Sequence, residues 1–223
     1  MSTTAASPPP IPASCAHRPT LGGLAVPFVN VRLRDGGADF RSADNQRYEL
    51  CWRKKLCQTC GTRIDGTAVF FGGPRQLASR HFDEPHVCPP CALYASQACP
   101  MVAGRMAEYA GRARLADGHR GKTCADPECG CSGWVETVPG RIDAGPAHPW
   151  YAVYVRDGGW VVTAEQRTIE PTPGLTVQRL VLTGGMLTAD PARIVHVSTP
   201  GAGRVWKPMP ITAPVAEPDT CRR

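Results

Sequence analysis

Neither an apolar run nor a basic leader opens this chain. Its first twenty residues, MSTTAASPPPIPASCAHRPT, therefore predict no secretory signal and no membrane anchor, and they place the protein in the cytoplasm. Ser14-Cys15 has the form of a lipoprotein cleavage site, but the apolar stretch such a signal needs is missing. Catalytic patterns are missing too. Asp143, His148 and the scattered serines have nothing in sequence that would bring them together as a triad. Gly72-Gly73 and Gly184-Gly185 open no Gly-rich loop and helix of the kind that cradles phosphate, so they read as turns. What the chain does hold is 23 Pro and 23 Gly in 223 residues, too many for every stretch to be packed, and 11 Cys. An odd cysteine count in a reducing compartment favours metal ligands and core thiols over a disulfide framework.

Two cysteine pairs carry the chemistry. Cys57-Gln-Thr-Cys60 and Cys88-Pro-Pro-Cys91 are separated by 27 residues and offer four thiolates, the set that a closed tetrahedral zinc site requires. The first pair ends in Cys60-Gly61 and reads as a zinc knuckle, in which the glycine lets backbone amides turn toward the sulfurs. Pro89 and Pro90 suit the first turn of a helix that continues through Ala98, and a helix amino terminus favours thiolate over thiol. Between the pairs, Thr67 to Phe71 reads as a strand and Gly72-Gly73-Pro74 as a turn. Knuckle, strand and helix follow the order of a treble-clef zinc finger.

The runs DFRSADNQRYELCWRKKLCQTCG and AVFFGGPRQLASRHFDEPHVCPPCALYASQACP resemble a group of small, uncharacterised proteins of actinobacteria and their phages, over about Val26 to Pro100. That group shares a short helix leading into a Cys-x-x-Cys-Gly knuckle, a Gly-Gly-Pro segment and a Cys/His-x-x-Cys pair opening a helix. The resemblance implies a treble-clef metal site at Cys57, Cys60, Cys88 and Cys91, and it implies no activity. Treble clefs also carry the HNH nuclease site, which needs a histidine on the hairpin and further His or Asn ligands. Here His81 and His86 both fall just before the second pair, and no asparagine follows Asn45. A degenerate nuclease or another hydrolase is therefore the alternative to a non-enzymatic module.

Charge divides the chain. From Arg41 through Lys122 there are 13 basic and 7 acidic residues, a balance of +6, equal to the net charge of the whole chain. From Thr123 to Arg204 the count is 6 basic and 8 acidic. Arg47, Arg53, Lys54 and Lys55, on the helix entering the knuckle, with Arg63, Arg75 and Arg80 after it, form a cluster suited to neutralising phosphates or, equally, a solvated helix face.

In the second half, Met101 to Leu115 can resume a helix after Pro100, with Met101, Val102, Met106 and Tyr109 on its apolar face. His119, Cys124, Cys129 and Cys131 can complete a second zinc site, although their spacing fits no standard pair. Trp150 to Val155 and Trp160 to Ala164 read as a hairpin, Leu175 to Leu182 as a third strand, and Asp190 to Val197 as a short helix or a strand. The expected architecture is α+β: a disordered segment 1–25, a treble-clef domain 26–118, a Cys-rich loop and antiparallel β-rich part 119–204, and a flexible tail 205–223. The expected function is a zinc-binding module, with one or two ions, that binds nucleic acid or a protein partner in a regulatory role.

Overall fold

The computed structural model describes residues 7–33, 36–109, 128 and 145–211. A 3-10 turn at Ala13–Cys15 leads to the antiparallel pair β1 (Thr20–Leu21) and β2 (Leu24–Ala25), then to the pair β3 (Asn30–Arg32) and β4 (Ala38–Ala43). Next come α1 (Asn45–Lys54), β5 (Ala68–Gly72), α2 (Pro74–Ser79), β6 (His81–Phe82) and α3 (Pro89–Ala98). The short pair β7 (Glu108–Tyr109) and β8 (Gly145–Pro146) precedes β9 (Trp150–Val155), β10 (Trp160–Thr172), β11 (Leu175–Leu187), β12 (Arg193–Thr199) and β13 (Gly203–Met209). The fold is mixed, mostly strand with few helices.

Local chemistry sets the helix ends. The Asp44 carboxylate accepts hydrogen bonds from the backbone N–H groups of Gln46 (3.0 Å) and Arg47 (3.2 Å), which starts α1. Arg53 and Lys54 occupy its last turn, where cations complement the helix dipole, and Lys55 ends it in the left-handed conformation (φ 52°). α3 begins with Cys88 at its cap and Pro89 at its first position; it stops before Pro100, which disfavours a helical Cys99.

Two antiparallel sheets meet over one core. The first has the order β13-β12-β9-β5, with Phe70 opposite Val153 and Val195 opposite Ala152; the second has the order β10-β11-β6. Every residue of β5 is buried, so this strand needs cover on both faces. Cover comes from the core that joins Cys57, Cys60 and Cys91 to Val153, Val155, Trp160, Val195 and Val197. The cysteine-bearing segment and the later strands, expected as separate units, thus share both sheets.

Several expectations need correction. Trp150–Val155 and Trp160–Thr172 are strands but not a hairpin: β9 lies between β5 and β12, while β10 pairs with β11. The turn closed by the Gly159 N–H and the Arg156 carbonyl (3.0 Å) passes the chain from one sheet to the other. β9 is buried at four of its six positions, spread over both faces, so one partner strand does not suffice for it. Met101 to Gly104 makes turns instead of resuming a helix, because the backbone closes on β12 there. Gly104 has φ 68°, and a Cβ on it would lie 2.6 Å from the Thr199 carbonyl oxygen. Residues 110–115 of that expected helix lie outside the described residues. Arg193–Thr199 resolves to a strand, as its β-branched run allows. Val205 to Met209, expected to be loose, belong to an edge strand on β12 (Gly203–Met209), a position where Pro208 is tolerated. The segment expected to be disordered up to residue 25 has Cys15 fully buried and the Ala25 N–H bonded to the Tyr94 hydroxyl at 2.9 Å.

The β10–β11 pair outruns the core. Its register shifts between Thr163 and Ala164, and from Leu175 through Leu180 the β11 side chains are exposed. No described helix is long and apolar enough to cross a membrane.

Candidate metal centre

Cys57 and Cys60 sit on the turn that follows α1, and Cys88 and Cys91 open α3. The four sulfurs all lie within 4.8 Å of one another, with Cys60 Sγ 4.0 Å from Cys88 Sγ. A tetrahedral ion with metal–sulfur bonds of about 2.3 Å sets its sulfurs about 3.8 Å apart, so the cluster has the size of such a site. A disulfide needs about 2.05 Å, and all four cysteines are free thiols. Backbone amides already point at the sulfurs: the N–H groups of Cys60 (3.5 Å) and Cys88 (3.4 Å) both donate to Cys57 Sγ. These four residues can hold a metal ion. Among the described residues they are the one group of three or more His, Cys, Asp or Glu placed to do so.

The protons of the cluster are unevenly held. Cys60 lies far below the ordinary thiol range, first through its hydrogen bond with Cys57 and then through Cys88 and Cys91. Cys88 is lowered to about 7, again first by Cys57. Cys57 is pushed up, chiefly by burial, and Cys91 is pushed up, first by its hydrogen bond with Cys57. A divalent cation bound here would supply the charge that lets all four sulfurs ionise inside a core where three of them are at most 1% exposed.

A residue that the sequence did not connect with the metal site completes the surroundings. Cys15 Sγ lies 3.5 Å from Cys91 Sγ, and Ser14 Oγ is also 3.5 Å from it. The nearby His17 ring is bonded to the Cys60 carbonyl oxygen at 2.9 Å. The 3-10 turn of the N-terminal segment is therefore packed directly on the metal-ligand set. Cys15 and Cys91 are 76 positions apart, and Cys15 belongs to no Cys-x-x-Cys pair, so spacing gives no sign of this contact.

Gly61 shapes the knuckle. It has φ 80°, and a Cβ there would come within 2.8 Å of the Phe28 ring. Gly61→Ala is expected to lower stability by about 2 kcal/mol through left-handed strain and this clash. Chemical denaturation of the metal-loaded protein measures it; an unchanged midpoint would mean the turn adapts freely.

The sequence-predicted basic residues do not form one cluster. Arg47 faces Phe28 and pairs with Asp44 at 3.5 Å. Arg53 pairs with Glu49 along α1 at 3.5 Å, and Lys54 is exposed beside it. Lys55 contacts Asp157 at 2.7 Å and lies 5.7 Å from the Trp160 ring centroid. Arg63 is brought to this end of α1 by a bridge to Leu56 and pairs with Asp65. Arg75 is exposed on α2, and Arg80, just after it, pairs with Asp190 at 2.9 Å. His119, Cys124, Cys129 and Cys131 lie outside the described residues.

The two histidines considered for a nuclease are differently placed. The His81 ring meets Thr163 Oγ1 at 2.8 Å and Asp83 at 3.5 Å. His86 is fully buried among Trp52, Phe70 and Trp160, with ring centroids 5.8, 5.6 and 4.5 Å away. Comparison with family models, with curated proteins and with solved structures gave no match.

Proposed function

We propose that the chain is a non-enzymatic zinc module that binds nucleic acid through the basic surface where α1 meets the knuckle. The observation that carries the zinc reading is the four-sulfur cluster: thiolate ligands in a closed, buried set suit Zn²⁺ in a structural role and leave no open coordination position for a substrate. The treble-clef reading is supported by a knuckle bearing the first pair and a helix opened by the second. Between the two pairs, β5 and β6 join different sheets, and Val69 bridges to Val87 just before the second pair. A second zinc ion held by His119, Cys124, Cys129 and Cys131 is part of the same proposal. The nuclease alternative is disfavoured by His86, whose ring has no surface from which to reach a phosphodiester.

Arg53, Lys54, Lys55 and Arg63 supply the nucleic-acid surface. Three of the four are in exposed ion pairs, which are weak in water and can be exchanged for phosphate. Reversing Arg53 and Lys54 together to Glu, while keeping Lys55 as the helix cap, is expected to weaken duplex binding. The slope of log affinity against log salt should flatten by about 2, with zinc content unchanged. Equal binding by the double variant, or no binding by wild type at low salt, would remove the nucleic-acid reading. A protein partner would then lead, favoured by the exposed apolar residues Val177 and Leu180 on the β10–β11 ribbon.

A further inference from the structure

On the other side of the knuckle, two arginines from separate segments converge on one phenyl ring. Arg18 and Arg47 place their guanidinium carbons 5.5 and 5.7 Å from the Phe28 ring centroid. With Arg32, Pro19 and Gly36 they line an open cavity of about 400 Å³. We infer that this cavity is a binding site for a phosphate group, held by the guanidinium groups of Arg18, Arg32 and Arg47.

The guanidinium groups are fixed before any ligand arrives. Arg18 donates from Nε to the Val26 carbonyl (3.1 Å) and from Nη2 to the Pro27 carbonyl (3.4 Å), and Arg47 donates from Nη1 to the Phe28 carbonyl (3.3 Å). Three successive carbonyls thus orient two cations. Phe28 is itself anchored to the knuckle through its N–H and the Thr59 carbonyl at 2.8 Å. Each fork keeps N–H donors uncommitted, and a phosphate takes such donors in pairs.

Charge is not balanced within the described residues. Neither Arg18 nor Arg32 has a carboxylate partner among them. Arg47 shares Asp44, whose Oδ1 already caps α1. Arg18 and Arg32 are both half-buried and both shifted downward, first by burial and then by neighbouring guanidinium charge. Three cations that repel one another at the mouth of a cavity are relieved by an anion of two charges more than by one of a single charge. Phe28 contributes a ring whose electrons face the guanidinium groups, so it holds them in place instead of offering a free surface for a base to stack. The site is independent of the proposed duplex-binding surface, since none of Arg53, Lys54 and Arg63 lines it.

The test uses the full, metal-loaded chain. In phosphate-free buffer, added inorganic phosphate is expected to raise the melting temperature and to give a saturable calorimetric signal. Arg32→Gln should lower phosphate affinity about tenfold without lowering the melting temperature in its absence. That residue makes no described backbone contact through its side chain, so its loss tests the site without testing the fold. Arg18→Gln should do the same to affinity, while Arg63→Gln, outside the cavity, should change nothing. Adenosine monophosphate and an oligonucleotide with and without a 5′-phosphate separate the sources. A 5′-phosphorylated strand that binds best and is sensitive to Arg32→Gln assigns a strand end. Equal binding of the mononucleotide assigns a free phosphate ester. Absence of a phosphate-dependent shift in wild type at millimolar concentration, or wild-type affinity in Arg32→Gln, would overturn the site. Neither result would alter the salt dependence of the Arg53 and Lys54 variant, so this inference and the duplex-binding reading fail separately.

Discussion

Cys91→Ser is expected to lose the metal and, with it, cooperative folding. Structural zinc contributes about 10–16 kcal/mol of apparent free energy in small zinc-dependent folds, as large as the whole stability of an ordinary domain, about 5–15 kcal/mol. Cys91 is fully buried, opens α3, and meets Cys15 on its far side. Its loss leaves three thiols around a site that can no longer close. The same core contains Val153, Val155 and Val197, so the damage reaches both sheets. Elemental analysis together with thermal melting measures this. Cys15→Ser, which alters a neighbour and not a ligand, should keep the metal and lose only the anchoring of the N-terminal turn. Two ions in wild type, falling to one in Cys91→Ser, would assign the second to the cluster at residues 119–131. A folded wild-type protein with no bound metal would remove the reading altogether.

His86 is expected to make the protein acid-sensitive over a defined window. Burial lowers its pKa to about 4 from an ordinary 6.5, outweighing the opposing influence of the Lys55 backbone. The folded state therefore holds the neutral ring while the unfolded chain takes up a proton below pH 6.5. Stability from this source is intact above pH 6.5, falls as pH drops toward 4, and loses nothing further below that. The full span corresponds to about 3 kcal/mol. His86→Phe keeps an aromatic ring against Trp52, Phe70 and Trp160 and removes the proton. Its stability between pH 6.5 and 4 should be flatter than that of wild type by this amount. Protonation of the ligand thiolates also weakens the protein in acid, but it acts on both chains and cancels in the difference. Parallel pH curves for the two proteins would show that His86 does not titrate in this window.

The metal site was legible because its signal is local. Two Cys-x-x-Cys pairs, one before Gly61 and one before a helix, carry their geometry within four residues each. The helix from Pro89 was legible for the same reason, through its prolines, whereas the helix entering the knuckle was expected from the resemblance. Pairing was not. Trp150 to Val155 looks like half of a hairpin because its composition records burial, whereas its neighbours, β5 and β12, come from segments some 80 residues before it and 40 after. Gly104 lies within the stretch expected to be helical, yet it marks where the backbone meets Thr199. The place of His86 was hidden because nothing adjacent in sequence reveals an aromatic box drawn from Trp52, Phe70 and Trp160. Arg18 and Arg32 lay outside the charged stretch that drew attention, and only the fold brings them to Arg47.

The ribbon made by β10 and β11 is two structures joined end to end. At its root, Trp160 and Leu187 are in the core, and Gly185 pairs with Phe82 of β6. Opening this end would expose the core, so its motions carry the free energy of global unfolding. Beyond the shift at Thr163 and Ala164 the strands leave the core, with Leu182 at its edge and Arg179 tying β11 to Glu49 of α1 at 3.2 Å; an isolated pair of strands is barely stable in water. Opening the ladder there costs the Arg179–Glu49 pair and leaves the core closed. The bulge is thus a hinge in free energy. On one side of it opening exposes the core, and on the other it breaks only the ladder and its tie to α1.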